Sequence, residues 1–191
     1  MNIGIMALQG AFIEHKEKLD TLGINNFYIR NLDDLKQSKD GLILPGGEST
    51  AMYKLLTELH MFDELKQQIE NGLPTFGTCA GLILLAKTLT NQEHAFLKVM
   101  DVAVTRNAYG RQLSSFITHD LFDNKKIPMV FIRAPYIEST HDDVEVLSIV
   151  DGKIVAARQK HLLGTAFHPE LTDDLTIHQY FIHMIREIKK P

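Results

Sequence analysis

The apolar residues in the first half of this chain form short runs separated by amphipathic segments. Ile3 to Leu8, Phe27 to Ile29 and Gly41 to Leu44 are near-continuous apolar runs, which are typical of parallel strands covered on both faces. A helix is predicted to follow the first run and to reach about Leu22, with Gly23 as its C-terminal stop. The order strand, helix, strand predicts a βαβ unit.

Further amphipathic segments predict helices that cover this sheet. We expect Ser49 to be the N-cap of one of them. The other helices are predicted at about Phe62 to Asn71, ending before Gly72, and at about Asp174 to Ile188. The residues expected to face the core are Phe12, Ile13, Leu19 and Leu22 in the first helix, and Met52, Leu55, Leu56 and Leu59 in the second.

Beyond Val99 the pattern changes to closely spaced strands. The predicted strands are Val102 to Val104, Leu113 to Ile117, Met129 to Ile132, Val144 to Val150, Lys153 to Ala157 and Leu162 to Phe167. Asp151-Gly152 is a strong signal for a two-residue hairpin turn. The second half is therefore predicted to add antiparallel strands to a mostly parallel sheet flanked by helices.

The composition is that of an ordinary globular protein. The 191 residues are 45% hydrophobic and 23% charged, which favours one domain over residues 1–191. With a net charge of −4 and scattered basic residues, nucleic-acid binding is not expected. Neither a signal peptide nor a membrane span is recognised, so no membrane role is expected and the cytoplasm is the predicted location. A single cysteine excludes an internal disulfide.

That single cysteine lies in Gly77-Thr78-Cys79-Ala80-Gly81, between a strand-like segment and Leu82 to Ala86. Small residues two positions before and after a nucleophile suit a sharp strand-to-helix turn, the nucleophile elbow. A cysteine there would meet the unsatisfied N–H groups of a helix N-terminus, which favour the thiolate. The alternative from this segment alone is a buried structural cysteine.

The segment Pro45 to Thr50 follows the third strand and contains Gly46-Gly47. Adjacent glycines allow successive N–H groups to point at one anionic oxygen, although a plain tight turn has the same composition. Two arginines, Arg106 and Arg133, follow predicted strands. Either could hold a substrate carboxylate with its planar guanidinium, or could simply lie on the surface.

His168-Pro169-Glu170 follows the last predicted strand. On an extended chain, residues two apart point to the same side, so the carboxylate could orient the imidazole. A surface histidine or a hydrogen-bonded core histidine is the alternative. A cysteine at a helix N-terminus, a glycine turn and an oriented histidine are together the parts of a covalent acyl-transfer site.

In this order the three motifs resemble those of the class I, triad-type glutamine amidotransferases. Within that class the whole chain is similar to the glutaminase subunits of pyridoxal phosphate synthases. The motifs that carry the resemblance are Ala7 to Gly10, Leu44 to Thr50, Phe76 to Leu82, Arg106 to Gln112, Phe131 to Pro135 and Phe167 to Thr172. The resemblance implies a flavodoxin-like α/β domain that hydrolyses L-glutamine to L-glutamate and ammonia through a cysteinyl thioester.

The resemblance also implies roles for individual residues. Cys79 would be the nucleophile, His168 the base and acid, and Glu170 the residue that orients His168. The glutamine contacts carried over from the family are Gly47, Glu48, Ser49, Arg106, Ile132 and Arg133. The backbone N–H groups of Gly47 and Ala80 would form the oxyanion hole, as acyl-transfer chemistry requires.

The implied partner is a PdxS-type (β/α)₈ synthase subunit in a large ring-based hetero-oligomer, which would receive the ammonia by channelling. No cofactor and no metal are expected in this chain, because pyridoxal phosphate would be the product of the partner. Two alternatives remain at this point. One is a stand-alone cysteine hydrolase or peptidase on a similar scaffold, and the other is a non-catalytic regulatory subunit.

Overall fold

The computed structural model describes residues 1–106, 115–141 and 143–189, and shows an α/β fold. Within these residues the strands are β1 (Asn2–Met6), β2 (Asn25–Ile29), β3 (Gly41–Leu44), β4 (Thr75–Thr78), β5 (Ala86–Leu89), β6 (Met100–Thr105), β7 (Ser115–Phe122), β8 (Lys125–Ile132), β9 (Tyr136–Thr140), β10 (Glu145–Val150), β11 (Lys153–Gln159) and β12 (Leu162–Thr165). The helices are α1 (Phe12–Thr21), α2 (Leu32–Lys36), α3 (Ser49–Glu58), α4 (Phe62–Glu70), α5 (Ala80–Leu85) and α6 (Thr176–Ile188).

Ten of these strands form one mixed sheet in the order β2-β1-β3-β4-β12-β11-β9-β6-β5, with β10 paired to β11. The first five strands in this order, β2, β1, β3, β4 and β12, are parallel to one another. The side chains of β3 and β4 are buried throughout, as expected for parallel strands covered on two faces. The predicted parallel sheet flanked by helices is therefore confirmed.

The antiparallel pairings lie on the other side of β12, and the prediction that the second half adds antiparallel strands to the sheet is confirmed. β11 pairs antiparallel with both β12 and β10, and β9 pairs antiparallel with β6. Asp151 and Gly152 have φ values of 50° and 73°, so both residues of the β10–β11 turn are left-handed. This is the backbone that an Asp-Gly turn provides most easily.

The hairpin β7–β8 differs from the prediction because it forms a separate two-stranded sheet. Of the predicted strand from Leu113 to Ile117, residues 113 and 114 lie outside the described residues. The sequence reading also missed α2, β5 and β9, which are short and have few apolar residues in a regular period.

The first helix corrects one prediction about the core. Ile13 is 53% exposed, whereas His15 and Leu19 are fully buried. Residues four apart lie on the same face of a helix, so the inward face of α1 passes through His15 and Leu19 and turns Ile13 to the outside. The predicted burial of Leu59 is also wrong, because this residue is the C-cap that follows α3 and is 40% exposed.

The register brings three strand ends to one edge of the sheet. Leu44 of β3 is level with Gly77 of β4, and Thr165 of β12 is level with Thr78. The three segments that follow these strands therefore emerge side by side. They are the segments that carry Gly46-Gly47, Cys79 and His168.

Candidate active site

Cys79 occupies the sharp turn between β4 and α5 that the sequence predicted. Its backbone has φ 49° and ψ −99°, a strained conformation for a residue other than glycine. Its N–H donates to the carbonyl of Thr165 at 2.7 Å, which fixes the turn against the neighbouring strand. The side chain is 6% exposed, and its Sγ lies 3.9 Å from the carbonyl oxygen of Ile132.

The glycines on either side of Cys79 are required by close backbone contacts. A Cβ at Gly77 would lie 2.6 Å from the carbonyl carbon of Gly81, and one at Gly81 would lie 2.1 Å from the carbonyl oxygen of Leu44. Both contacts are with backbone atoms, which could move only by distorting the turn or the neighbouring strand. The expectation that only small residues fit at these two positions is confirmed.

The turn after β3 is held by the segment after β1. Gly10 has φ 96°, and the N–H of Ala11 donates to the carbonyl of Gly46 at 3.0 Å. The side-chain oxygen of Gln9 accepts the N–H of Glu48 at 2.8 Å and lies only 2.3 Å from where a Cβ of Gly47 would be. A larger residue than glycine at position 47 would therefore displace Gln9.

The N-cap of α3 is Glu48, so the prediction that Ser49 is the N-cap is wrong. The carboxylate of Glu48 accepts the N–H groups of Thr50 at 3.1 Å and Ala51 at 2.7 Å. Its longer side chain curls back over the first turn and leaves Ser49 as the first helical residue. The hydroxyl of Ser49 is buried and has no hydrogen-bond partner among the described residues.

His168 and Glu170 are paired, although the backbone between them is not extended as predicted. Pro169–Leu171 form a short 3₁₀ turn, because the φ of proline suits the first position of a helical turn. The Nδ1 of His168 lies 2.7 Å from Oε1 of Glu170, and both side chains are almost completely buried. The N–H of His168 donates to the carbonyl of Val130 at 2.8 Å, which ties this turn to β8.

The surroundings of His168 favour its charged form. Burial alone would lower its pKa, but hydrogen bonds to Cys79 and Glu170, together with the electrostatic attraction of these two groups, outweigh burial and raise the pKa to about 10. At neutral pH the imidazole is therefore protonated. A protonated imidazole between a sulfur and a carboxylate holds a proton ready for a leaving group on the sulfur side.

A cleft of about 570 Å³ opens above these groups and gathers most of the residues predicted from the sequence. Its lining includes Cys79 and His168, together with the predicted contacts Gly47, Glu48, Ser49, Arg106, Ile132 and Arg133. Glu170 and Ala80 are not part of the lining; Glu170 lies behind His168, and Ala80 is the first residue of α5. The first N–H groups of a helix have no intrahelical acceptor, so that of Ala80 is available to a ligand.

The two arginines differ in their environment. The guanidinium of Arg106 lies 3.3 Å from Oε1 of Glu48 and 3.5 Å from Oγ1 of Thr50, and it also bonds to Gln92. Arg133 is exposed and has φ 44°, so it sits in a strained turn directly after β8. Both are cleft residues and not remote surface arginines. The rest of the motif that begins at Arg106, residues 107–112, lies outside the described residues.

Sequence reasoning missed three residues of the cleft, Gln9, Ile83 and Ser115. Gln9 had a usable signal, because it is the polar residue at the carboxyl end of a strand next to β3. Ile83 and Ser115 gave no such signal in the sequence, since their position in the cleft depends on how α5 and β7 pack.

Among the described residues, no cluster of three or more His, Cys, Asp or Glu has an arrangement that would hold a metal. In the same residues, no helix is long and apolar enough to cross a membrane.

The fold and the site together define a class of protein. A mostly parallel sheet with a cysteine elbow after one central strand and a histidine–glutamate pair after the next is the architecture of the class I glutamine amidotransferases. Residues 5–187 match the SNO glutamine amidotransferase family, and the chain belongs to that family.

Individual relatives agree with this assignment. The chain is 56% identical to the pyridoxal 5′-phosphate synthase subunit PdxT of Streptococcus pneumoniae strain CGSP14, over 98% of both chains. A crystal structure of a glutamine amidotransferase is 42% identical and superimposes with a TM-score of 0.90, covering 96% of this chain and 98% of that one. A chain in the structure of PurLQS from Thermotoga maritima, at 17% identity and a TM-score of 0.65 over 99% and 98% of the two chains, shares the fold alone.

Proposed function

We propose that this chain is the glutaminase subunit of a pyridoxal 5′-phosphate synthase and hydrolyses L-glutamine to L-glutamate and ammonia. The observation that carries the proposal is the 56% identity to a PdxT subunit over 98% of both chains. The proximity of Cys79, His168 and Glu170 at one edge of the sheet supports it chemically. We further propose that residues 1–191 form one glutaminase domain that acts in the cytoplasm.

Cys79 is the proposed nucleophile. Its thiolate attacks the side-chain amide carbon of glutamine and forms a tetrahedral intermediate, which collapses to a γ-glutamyl thioester when the C–N bond breaks. His168 gives its proton to the departing nitrogen, so ammonia leaves as a neutral molecule. A water molecule then attacks the thioester, His168 takes a proton from that water, and glutamate and the thiolate are released.

Glu170 orients His168 in both steps. Its carboxylate accepts the Nδ1–H of His168, which directs the other ring nitrogen toward Cys79 and stabilises the imidazolium. The raised pKa of His168 agrees with this role, because the resting site already holds the proton that the leaving group needs.

The proposed oxyanion hole consists of the backbone N–H groups of Gly47 and Ala80. Ala80 follows the nucleophile at the start of α5, and Gly47 belongs to an independent turn across the cleft. Two donors from separate elements can meet the developing negative charge without reorganising. The contact of Gln9 with the N–H of Glu48 would hold the second turn in place.

The remaining cleft residues are proposed to bind the amino-acid end of glutamine. Glu48 and Arg106 present opposite charges 3.3 Å apart, which suits a substrate that carries both an ammonium and a carboxylate group. Arg133 adds a second cation to the lining of the cleft, next to Ile132. Ser49 lies at the start of α3, within the same lining.

Ammonia would pass directly to a partner. Protonated ammonia is not a nucleophile, so a closed path to a synthase avoids its loss to water. We propose a PdxS-type (β/α)₈ synthase subunit as the partner, in a ring-based hetero-oligomer.

The test is a glutaminase assay of the purified chain, alone and with its cognate synthase subunit. We expect glutamate release that depends on Cys79, and a mass increase on Cys79 after treatment with an electrophilic glutamine analogue. Peptide and ester substrates serve as controls for a general cysteine hydrolase. Absence of glutamine hydrolysis even with the synthase present would refute the proposal, and absence of the adduct as well would favour a non-catalytic subunit.

A further inference from the structure

Two histidines, His15 of α1 and His178 of α6, are fully buried, and His15 lies next to Glu170. The Nδ1 of His15 is 2.9 Å from Nε2 of His178. On its other side, Nε2 of His15 is 3.2 Å from Oγ1 of Thr78 and 3.6 Å from Oε2 of Glu170. The mechanism described above uses neither histidine.

Glu170 needs a second donor. One carboxylate oxygen, Oε1, accepts from His168, but Oε2 is buried and has no hydrogen-bond partner among the described residues. A buried carboxylate is stable only when both oxygens are compensated. The Nε2 of His15 faces this oxygen. A separation of 3.6 Å is beyond hydrogen-bond distance, and in this structure Nε2 of His15 is closer to the hydroxyl of Thr78. The contact with Glu170 becomes a hydrogen bond only when the two groups approach by about 0.6 Å.

Both histidines are neutral. Burial, followed by repulsion from His178 and His168, holds the pKa of His15 well below its usual value. Burial, followed by the charge of Lys18, lowers the pKa of His178 to about 3. A neutral N–H can donate to Glu170 without adding a second cation that would compete with the imidazolium of His168.

The contact between the two rings then determines where their protons lie. Two neutral imidazoles that meet nitrogen to nitrogen share one proton. If His15 donated it, the bare Nε2 of His15 could accept from the hydroxyl of Thr78, but its lone pair would also face the carboxylate of Glu170 and leave Oε2 without a donor. In the opposite arrangement His178 donates from Nε2, and His15 carries its own proton on Nε2. That leaves Nδ1 of His178 as a bare acceptor, which agrees with the absence of a partner for it among the described residues.

We propose that His15, held in its tautomer by His178, is a positioning residue that donates its Nε2–H to Glu170. His15, Glu170 and His168 would then form one hydrogen-bonded series, in which His15 orients Glu170 and Glu170 orients His168. The inference rests on the proposed glutaminase function. It implies that His15 affects the chemical step and not glutamine binding, because His15 does not line the cleft.

The test compares substitutions of His15 in the complex with the cognate synthase. His15→Leu removes the donor, and we expect kcat to fall by about 10- to 100-fold with little change in the KM for glutamine. His15→Gln places an amide N–H near the position of Nε2, and we expect it to restore most of the lost kcat. His161→Leu is the matched control, because His161 bonds to the carbonyl of Ile69 away from the cleft and should affect stability only.

Three results of these kcat comparisons would overturn the inference. They are an unchanged kcat for His15→Leu, equal losses for the Leu and Gln variants, or the same loss in Thr78→Val, which would mean that His15 acts through the threonine. If His15→Leu does not fold, His178→Leu takes its place, with a smaller loss of kcat expected and an unchanged kcat counting against the proposal. A wild-type complex that does not hydrolyse glutamine refutes the proposed function instead.

A second test uses NMR to follow the Nδ1 proton of His168, which reports on the hydrogen-bonded series His15–Glu170–His168. Its signal should be lost to faster exchange in His15→Leu and retained in His15→Gln, and equal signals in both variants would refute the proposed role of His15.

Discussion

Gly46→Ala is the substitution whose effect on the site follows most directly from the geometry. A Cβ built on Gly46 lies 2.2 Å from Cε1 of His168 and 2.7 Å from its Nδ1. An ordinary contact for a Cβ starts near 3.4 Å, so the imidazole must move by about 1.2 Å to accept the methyl group. The backbone of Gly46 is held by the N–H of Ala11, and we therefore expect the ring and not the turn to move.

This displacement is large compared with what the chemistry tolerates. The Nδ1 to Oε1 distance between His168 and Glu170 is 2.7 Å, and a shift of the ring by more than 1 Å breaks or bends that hydrogen bond. A misplacement of about 1 Å at a reacting group costs on the order of 100-fold in rate. We expect kcat for glutamine hydrolysis to fall by at least about this factor, because proton transfer depends on the position of His168.

The assay is glutamate release by the complex with the synthase, and the matched control is Gly4→Ala. A Cβ on Gly4 would lie 2.6 Å from Cδ1 of Ile29, a comparable overlap in a strand away from the cleft. The two variants should lose similar stability, while only Gly46→Ala should lose activity. Wild-type kcat in Gly46→Ala would show that the position of His168 does not limit the reaction, and an equal loss of kcat in Gly4→Ala would attribute the effect to general destabilisation.

Three further predictions concern the charged groups of the site. Cys79→Ala should abolish glutamine hydrolysis but leave synthesis from added ammonium salts intact in the complex, and loss of both activities would mean that the cysteine is structural. Arg106→Lys should raise the KM for glutamine, because lysine cannot make the two-pronged contact with a carboxylate; unchanged steady-state kinetics would remove Arg106 from the binding site. Since the pKa of His168 rises from 6.5 to about 10 on folding, the native state binds more protons between these values, and the free energy of unfolding should fall as the pH rises through this window. Urea titrations at several pH values should show this decline in the wild type and a weaker one in Glu170→Gln, and identical slopes would contradict the assigned charge.

Part of the local structure of the site could be predicted from the sequence, because Gly77 and Gly81 flank Cys79 at the spacing that a strand-to-helix turn requires. A Cβ at Gly77 would meet Gly81 within the same turn, whereas a Cβ at Gly81 would meet the carbonyl of Leu44 in the neighbouring strand β3, a contact that only the folded chain shows. Asp151-Gly152 predicted the β10–β11 hairpin because Asp and Gly adopt left-handed backbone with less strain than most residues. The N-cap of α3 was harder to predict, because a carboxylate one residue earlier competed successfully with Ser49.

The sequence by itself determined most of the strands and helices, the cysteine elbow and the order of the three motifs, but not the short elements α2, β5 and β9. Only the tertiary structure brought the ends of β3, β4 and β12 side by side, because that depends on pairing between strands far apart in the chain. It also decided which histidines matter and in which charge state. His168 is charged because two acidic groups contact it, whereas His15 and His178 are neutral because burial and nearby positive charges disfavour their protonation. A periodic pattern marks a residue as apolar or polar, but the environment that sets its proton affinity exists only after the chain has folded.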